Sequence, residues 1–504
     1  MRSIKIVVAF FVIFLSVFAI TSCTNVGAIR TLAMPTSVIP KLKPQNLLAL
    51  CAPGIGRGHT GGELLNSIEE YGTHMIGYVE YSDQGWEYNG GEQRQALIKR
   101  LREELNKPES ADTAVVNVVF IHGWHHSAYD DDCNVNEFRA MIQQLNTDLQ
   151  PPVDGRQDRM RLRFNGVYVS WRGESLTLPI LRQATVFDRR NAAEHVAKGA
   201  ARELFADLRH LELDDEETHA NPRHPRGRVR TLVIGHSFGG LIAFNALSPA
   251  LINDLSLARP LDGTDSTPYI CSKAALARRF WPDMTILINP AFEASRFQAL
   301  HDVATEAMTC KHEIPRPKMV VVTADNDIAT GKIYPAFRAA ASIFEQYDAT
   351  SDVSEALERD ANIHVVGFVK RFQTHRLALG KVNGQSCVIE TEIFLKPENA
   401  PAIVALAKKA LPSRSAAIAL RDTQRHAVFV SNAARHVWVV GVPAEIVNGH
   451  DGFLYPNAKA GKYDPYLLHW LVTVYLRNSA DNDVQNILNS PPYLLCPPTQ
   501  QAKN

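Results

Sequence analysis

One serine in a glycine-rich turn carries the clearest chemical signal in the sequence. Residues 235–239 read Gly-His-Ser-Phe-Gly and stand between a β-strand predicted at residues 231–234 and a helical pattern. A tight strand-to-helix turn of this kind exposes the serine oxygen, and side chains two residues to either side would collide with backbone. The helix that follows offers backbone N–H groups to an anion beside the serine. The pattern therefore predicts that Ser237 is a nucleophile.

A nucleophilic serine needs a histidine that accepts its proton and an acidic residue that orients the histidine. In the chain order Ser, Asp/Glu, His, the acid comes after a strand later in the chain. Asp327 stands a few residues past a strand predicted at residues 319–323, before a turn into a helix. Asp325 follows the same strand and is the alternative acid. We expect Asp327 to take this role, and the sequence leaves Asp325 open.

The histidine of such a triad should follow the last strand of the sheet. His450 lies in a glycine-flanked loop after a strand predicted at residues 436–442 and before a helix predicted at residues 465–476. His426 and His436 are weaker candidates because they precede or begin that strand. We therefore expect His450 to be the base.

The residues that follow an earlier strand, at 115–121, are His122-Gly123-Trp124. At this point the chain resembles the α/β-hydrolase superfamily, whose members often carry His-Gly there. The resemblance implies that a backbone N–H near Gly123 or Trp124 forms half of an oxyanion hole, and that the N–H of Phe238 forms the other half. Trp124 would wall the acyl pocket or pack in the core.

Further short motifs extend this resemblance over roughly residues 71–476. They lie at residues 80–85, 131–134, 171–173 and 289–292. The motifs are similar to those of a group of bacterial lipoprotein-type α/β-hydrolase-like proteins whose substrates are poorly defined. The resemblance therefore implies a fold and a Ser-Asp-His triad, but no particular substrate.

A metal site is the competing interpretation of His122, His125 and His126, which lie close to three aspartates at residues 130–132. The string His-Gly-Trp-His-His lacks the ligand spacing of established metal motifs. Acyl transfer by a serine triad requires no metal ion and no cofactor. We expect neither in this protein.

Strand-like and helical patterns alternate along the chain, which is typical of an α/β fold. The strand-like runs are nearly continuous in apolar residues, as buried parallel strands are. They lie at residues 76–81, 115–121, 166–170, 231–234, 285–288, 319–322 and 437–440, with helical patterns such as 192–211 and 238–251 between them. We expect a mostly parallel central sheet with helices on both faces. The resemblance implies the α/β-hydrolase fold, and residues 173–224 and 347–435 are possible cap or lid insertions.

The patterns divide the chain into four parts. Residues 1–22 are predicted to be a lipoprotein signal peptide, and residues 23–70 a tether with a loop that leads into the domain. Residues 71–480 are predicted to form one α/β-hydrolase catalytic domain, and residues 481–504 a C-terminal tail.

A basic and then apolar N-terminus is typical of a secretory signal. Arg2 and Lys5 precede an apolar run at residues 6–20, and the residues up to Cys23 read Ile-Thr-Ser-Cys, which resembles a bacterial lipobox. In such signals the cysteine is diacylated, so Cys23 would anchor an exported protein in a membrane. Because Thr24 rather than aspartate follows, the outer membrane is favoured if the organism has one. A plain secreted protein or an uncleaved anchor is the alternative.

The overall charge is balanced, since Lys plus Arg and Asp plus Glu each number 53. A protein without a basic excess has little to hold a phosphate backbone, which disfavours a dedicated nucleic-acid binder.

Six cysteines besides Cys23 are too few for a disulfide scaffold in a chain of 504 residues. One or two bridges are compatible with an exported protein.

These observations predict a serine hydrolase that cleaves carboxylic esters, as an esterase or a lipase, on the bacterial cell envelope. Its partners would be a small-molecule or lipid ester and the membrane. A transacylase, thioesterase or peptidase could use the same triad. The third interpretation is a lipoprotein that uses the hydrolase fold as a binding or scaffold module, because a fold does not imply a function. The presence of all three triad positions in order stands against it.

Overall fold

The structure, a computed structural model, describes the chain in segments. They are residues 27–32, 65–107, 110, 112–149, 161–173, 186–220, 227–256, 280–306, 317–347, 352–382, 385–392, 436–454, 465–477, 484, 488, 493 and 495. The predicted signal peptide and Cys23 lie outside the described residues.

A ten-stranded sheet forms the centre of the described structure. The strands in the described residues are β1 (Arg30–Thr31), β2 (Leu65–Asn66), β3 (Ile68–Glu70), β4 (Met75–Tyr81), β5 (Thr113–Ile121), β6 (Arg161–Trp171), β7 (Val229–His236), β8 (Met284–Ile288), β9 (Met319–Ala324), β10 (His375–Val382), β11 (Gln385–Glu392) and β12 (Val437–Val442). The sheet has the order β11-β10-β12-β9-β8-β7-β5-β6-β4-β3, and β1 pairs with β2 separately. The edge strands β3 and β11 are antiparallel to their neighbours, and all other neighbours in the sheet are parallel.

Helices cover both faces of this sheet. They are α1 (Glu92–Leu105), α2 (Cys133–Asp148), α3 (Val186–Lys198), α4 (Ala201–His219), α5 (Phe238–Ser256), α6 (Gln298–Glu306), α7 (Tyr334–Ala341), α8 (Asp352–Ile363) and α9 (Tyr466–Leu476). Successive side chains of a strand point to opposite faces, so Val119 of β5 packs in a core with α1, α3, α4, α5 and α6. Phe120 packs in the second core, with α2 and α9. The predicted α/β fold with a mostly parallel sheet is confirmed.

The helix predicted at residues 192–211 is two helices, α3 and α4. The N–H of Ala200 donates to the carbonyl of Gly85 at 2.9 Å, whereas a continuous helix would need it to donate to the carbonyl four residues earlier. The contact with the turn after β4 thus breaks the helix.

The described parts of the two possible cap segments belong to the sheet and its helix layers. In residues 173–224, α3 and α4 bury apolar side chains such as Ala193 and Leu204 in the core, so they connect β6 to β7 across one face. In residues 347–435, β10 and β11 extend the sheet beyond β12, and Cys387 of β11 is disulfide-bonded. The described residues of α3, α4, β10 and β11 thus contribute to the sheet and to the helix layer on it.

The folded body also extends beyond residues 71–480. Strand β3 lies in the range predicted to be a tether, yet it pairs with β4 in the main sheet. Val484, Leu488 and Tyr493 lie in the predicted tail, yet they are buried in the core that contains α9. Short segments on both sides of residues 71–480 are therefore held against the main sheet by contacts that are distant in sequence. None of the described helices is long and apolar enough to cross a membrane.

Candidate active site

Ser237 lies at the turn between β7 and α5, near the middle of the sheet. Its backbone is left-handed, with a φ of 55°, a conformation that costs free energy in a residue other than glycine. A Cβ atom on Gly235 would lie 2.5 Å from the carbonyl oxygen of Gly239, and one on Gly239 would lie 2.0 Å from that of Ile121. Glycine is therefore needed on both sides of the serine, as the sequence pattern predicts.

The structure brings Ser237, His450 and Asp327 into one hydrogen-bonded chain. Nε2 of His450 lies 2.8 Å from Oγ of Ser237, and Nδ1 of His450 lies 2.9 Å from Oδ2 of Asp327. An ionised carboxylate only accepts hydrogen bonds, so Nδ1 carries the proton and Nε2 is free to accept the hydroxyl of Ser237. The three residues come from the loops after β7, β9 and β12, at the carboxyl edge of the sheet.

Asp327 is held as a buried, ionised carboxylate. Burial raises its pKa, but the hydrogen bond and the positive charge of His450, together with hydrogen bonds from Thr330, outweigh burial and lower the pKa below the ordinary value. The N–H of Thr330 donates to Oδ1 at 3.2 Å, and its hydroxyl donates to Oδ2. Sequence analysis did not identify Thr330, which lies one helical turn after the acid.

Asp325 is directed elsewhere. It is exposed and forms an ion pair with Arg376 of β10, with Nη1 of the arginine 3.2 Å from Oδ1. The side chain next to His450 is thus Asp327, as expected from the sequence, and not Asp325.

Burial and the acid act on His450 in opposite directions. Burial lowers the pKa of His450, but the hydrogen bond and the charge of Asp327 outweigh this effect and raise the pKa above the ordinary histidine value. The environment therefore stabilises the imidazolium of His450 more than water does.

Two buried side chains hold the backbone of His450. The carbonyl of His450 accepts hydrogen bonds from Nε2 of His236 at 3.0 Å and from Nδ2 of Asn289 at 2.8 Å. Asn289 also donates to the carbonyl of Gly449 at 3.1 Å, and its Oδ1 accepts the N–H of Ala324 at 2.9 Å. Asn289 thus joins the loop that contains His450 to the end of β9, which leads into Asp327.

Sequence analysis did not assign a role in the site to His236 or Asn289. A signal was present for Asn289, because it directly follows β8 at the edge where function collects. It also has a φ of 44°, a conformation that asparagine tolerates better than most residues. Burial lowers the pKa of His236 to about 3, so this histidine stays neutral and acts as a positioning residue through its N–H.

The loop expected to form the oxyanion hole packs directly against Ser237. Nδ1 of His122 lies 2.8 Å from the carbonyl oxygen of Gly123, to which it donates, and its Nε2 accepts the N–H of Trp171 at 3.2 Å. Burial lowers the pKa of His122 to about 4, which keeps it neutral. Because a trans peptide directs its C=O and N–H in opposite directions, the N–H of Trp124 points away from His122.

The other expected donor is the N–H of Phe238, the first residue of α5. The first N–H groups of a helix have no carbonyl within the helix to bind, so this N–H is available beside Ser237.

The side chain of Trp124 is half-buried against the core and stacks on His125, with 3.8 Å between ring centroids. Part of the ring thus packs against the core, which is one of its two expected positions.

Backbone strain is concentrated around these residues. Among the described residues, four other than glycine have a positive φ, and three of them lie here: His125 at 73°, Ser237 at 55° and Asn289 at 44°. They lie in the loop after β5, in the turn after β7 and directly after β8. Strained conformations of this kind cluster at functional sites.

The histidines weighed as metal ligands are engaged in other contacts. His126 pairs with Asp132 at 2.9 Å, and both ring nitrogens of His122 are bonded as described above. Within the described part of the chain, one group has the spacing of metal ligands, namely His236, His450 and Asp451, whose ligand atoms lie within 4.8 Å of one another. A metal ion there would compete with the hydrogen bonds of His450 to Ser237 and Asp327.

Gly123 allows a sensitive test of the oxyanion loop. A Cβ atom on Gly123 would lie 2.9 Å from Cβ of Ser237 and 3.0 Å from Nδ1 of His236, so the loop must move away from the nucleophile in Gly123→Ala. We expect kcat for ester hydrolysis to fall by about 10²-fold, the usual cost of losing one oxyanion donor. Circular dichroism should show an intact fold, and an unchanged kcat would show that this loop does not contribute a donor.

Comparisons with known proteins add little to this geometry. No family model matches the chain, and no curated protein matches it significantly. Among solved structures, the chain is similar to "Phospholipase PlaB from Legionella pneumophila in complex with thio-NAD", with 15% sequence identity and a TM-score of 0.20. The match covers 55% of this chain and 48% of that one, so it spans about half of the phospholipase. This likeness is too low to support an argument about function.

Proposed function

We propose that this protein is a serine hydrolase of the α/β-hydrolase type that cleaves carboxylic esters through an acyl-enzyme. The observation that carries the proposal is the hydrogen-bonded chain from Ser237 through His450 to Asp327, with distances of 2.8 and 2.9 Å. Its nucleophile stands on a strained turn between a buried strand and a helix, the context in which such serines act.

In the first half of the reaction, Oγ of Ser237 attacks the carbonyl carbon of the ester while Nε2 of His450 accepts the proton of the hydroxyl. The carbonyl oxygen becomes an anion that the N–H groups of Trp124 and Phe238 would stabilise. His450 then gives the proton to the leaving alcohol oxygen, the C–O bond to the alcohol breaks, and the acyl group remains on Ser237.

In the second half, water takes the place of the alcohol. His450 removes a proton from the water, whose oxygen attacks the acyl carbon, and the same proton then passes to Oγ of Ser237 as the bond to the acyl group breaks. The products are a carboxylic acid and the free enzyme. Throughout, Asp327 fixes Nδ1–H and stabilises the imidazolium by its charge.

We also propose that the protein is exported and anchored by lipid at Cys23, on the outer membrane if the organism has one. This proposal is supported by the sequence alone, since a basic and apolar leader ends in Ile-Thr-Ser-Cys. Two acyl chains on one residue suffice for stable anchoring. Mass spectrometry of the membrane-extracted protein tests it, because an unmodified Cys23 would rule it out.

The pH dependence of ester hydrolysis tests the proposed chemistry. His450 must be neutral to accept the proton of Ser237, and its pKa is raised. We therefore expect kcat/KM for a soluble short-chain ester to rise with pH, with a midpoint above the ordinary histidine value of about 6.5. Burial lowers the pKa of His236 to about 3 and that of His122 to about 4, so neither titrates in this range.

His126 is the remaining histidine close to the site. Burial lowers its pKa, but the charge of Asp132 outweighs this effect and raises the pKa to about 9. A rise in activity with a midpoint above about 6.5, which moves to lower pH when Asp327 is replaced by asparagine, thus reports His450. A rate that is independent of pH between 5 and 8, or no ester turnover at all, would contradict the proposal.

A further inference from the structure

The N-terminal segment approaches the folded body from the edge of the sheet that carries Ser237. The N–H groups of Ile29 and Arg30 donate to the carboxylate of Glu80, at 3.0 and 2.8 Å, one residue before β4 ends. Strand β3 is antiparallel to β4, and β1 is parallel to β2, which directly precedes β3. Strand β1 therefore also runs in the direction opposite to β4. Because β4 ends at the carboxyl edge of the sheet, the residues before Arg30 lie toward that edge.

The side chain of Arg30 fixes this segment in place. Its buried guanidinium donates to Glu69 at 2.9 Å and to the carbonyl of Ala128 at 2.8 Å, and it lies over the ring of Tyr78. Ala128 belongs to the loop after β5, which also contains Gly123. The segment is thus attached to the same loop that packs against Ser237.

The fixed segment limits the reach of any lipid anchor. Only three residues lie between Cys23 and Gly27, the first described residue, so the two are four residue steps apart. Four extended residues span at most about 14 Å. An acylated Cys23 would therefore hold the carboxyl edge of the sheet close to the bilayer.

Exposed apolar side chains flank the site on this edge. Trp86, in the turn after β4, is 74% exposed, and Ile343 and Phe344, which follow β9 and α7, are 73% and 95% exposed. Ile328, directly after the proposed acid, is also exposed.

Strands lie about 4.8 Å apart, so β4, which leads into Trp86, is three strands, or about 14 Å, from β7. Glu345, next to Phe344, pairs with Arg338 of α7, and Arg338 pairs with Glu293 in the loop after β8. These pairs place Phe344 on the carboxyl side of the sheet.

The charges argue for a neutral lipid surface as the partner. A chain that begins at Thr24 has two more acidic than basic residues, since only Arg2 and Lys5 are lost before it. Asp131 and Asp451 are exposed on the loops around the site. Attraction to anionic headgroups is thus not the driving force, whereas burial of apolar surface does not depend on lipid charge.

We infer that the carboxyl edge of the sheet docks on the surface of a lipid bilayer, with Trp86 on one side of Ser237 and Ile343 and Phe344 on the other. This inference rests on the proposed function in one respect, since the anchor at Cys23 belongs to it. Docking presents the serine to esters that reside in the bilayer. It thereby assigns membrane lipids as the substrate class.

Binding to vesicles without the lipid anchor tests the surface itself. A chain that begins at Thr24 keeps every element that the structure describes. We expect it to sediment with phosphatidylcholine vesicles, with little dependence on salt. Phe344→Asp should weaken this binding by about tenfold or more, because a large apolar side chain is replaced by a charge.

Leu213→Asp is the matched control. Leu213 is 47% exposed on α4, close to Asp215, which pairs with Arg228 just before β7 begins. It therefore lies toward the amino edge of the sheet, and its substitution should leave binding unchanged.

Each outcome has a defined meaning. If the unsubstituted chain does not bind vesicles, or if Leu213→Asp weakens binding as much as Phe344→Asp, the docking surface is wrong. If Phe344→Asp instead converts a dimer into a monomer and vesicles are not bound, the surface contacts a second copy of the chain. Turnover of a soluble short-chain ester separates the two proposals, since Phe344→Asp should not change it. Vesicle binding without ester turnover would overturn the proposed activity and leave the docking surface standing.

Discussion

Ser237→Ala is expected to lower kcat for ester hydrolysis by about 10⁶-fold, which is the effect of removing the nucleophile when the triad acts as a unit. The hydroxyl of Ser237 is the group that Nε2 of His450 contacts at 2.8 Å, and no other hydroxyl or thiol contacts that atom among the described residues. Without the hydroxyl no acyl-enzyme forms. A steady-state assay with a soluble short-chain ester measures the effect.

The fold should survive this substitution. Alanine is smaller than serine, so it fits the space at residue 237. The left-handed backbone there, with a φ of 55°, costs free energy in alanine as it does in serine. The melting temperature should stay within a few degrees of that of the unsubstituted chain, so a loss of activity reports chemistry. Residual turnover within tenfold of the unsubstituted enzyme would mean that another nucleophile acts.

Asp327→Asn is expected to lower kcat by about 10⁴-fold, as the loss of the orienting carboxylate does in serine triads. An amide can donate to Nδ1 of His450, which would move the ring proton to Nε2 and prevent this atom from accepting the proton of Ser237. The substitution also removes the charge that raises the pKa of His450. The midpoint of the residual pH profile should therefore move to lower pH.

Asp325→Asn is the matched control, two residues away on the same loop. Asp325 pairs with Arg376 at the surface, and an exposed ion pair contributes at most about 1 kcal/mol to stability. We expect kcat to change by less than about twofold. The lost ion pair is weak and lies at the surface, where it contacts neither Ser237 nor His450. The reverse result, in which Asp325→Asn abolishes turnover and Asp327→Asn does not, would assign the acid to Asp325.

The centre of the fold could be predicted from the sequence because its signals are local. Residues 115–121 form an apolar run that only Asn117 interrupts, and β5 includes all of it. Gly235 and Gly239 reveal the turn around Ser237, because a strand-to-helix turn of this kind has glycine on both sides of the serine. The positions of Ser237 and His450 follow from the order of strands along the chain.

The edges of the fold could not be predicted, because they depend on contacts that are distant in sequence. Arg30 is buried by Glu69, which lies 39 residues away, and nothing near Arg30 indicates such a partner. For the same reason a short segment of the predicted tether, β3, was not recognised as a strand. Polar networks of this type leave no periodic pattern in a sequence.

The choice between the two acids and the support of the base depend on the same kind of contact. Asp325 and Asp327 both follow β9, and what separates them is Arg376 on a strand 51 residues later. Asn289 contacts His450, which lies 161 residues away. The sequence indicates which edge of the sheet holds the site, whereas the partner of each side chain requires the tertiary structure.

Labelling with a fluorophosphonate tests the central claim most directly, because this reagent reacts with serines that a neighbouring base has activated. The unsubstituted chain beginning at Thr24 and its Ser237→Ala variant would be treated in parallel and analysed by intact mass. We predict one adduct on the unsubstituted chain and none on the variant. No adduct on a well-folded unsubstituted chain, with or without detergent, or an equal adduct on both chains, would show that Ser237 is not the activated nucleophile.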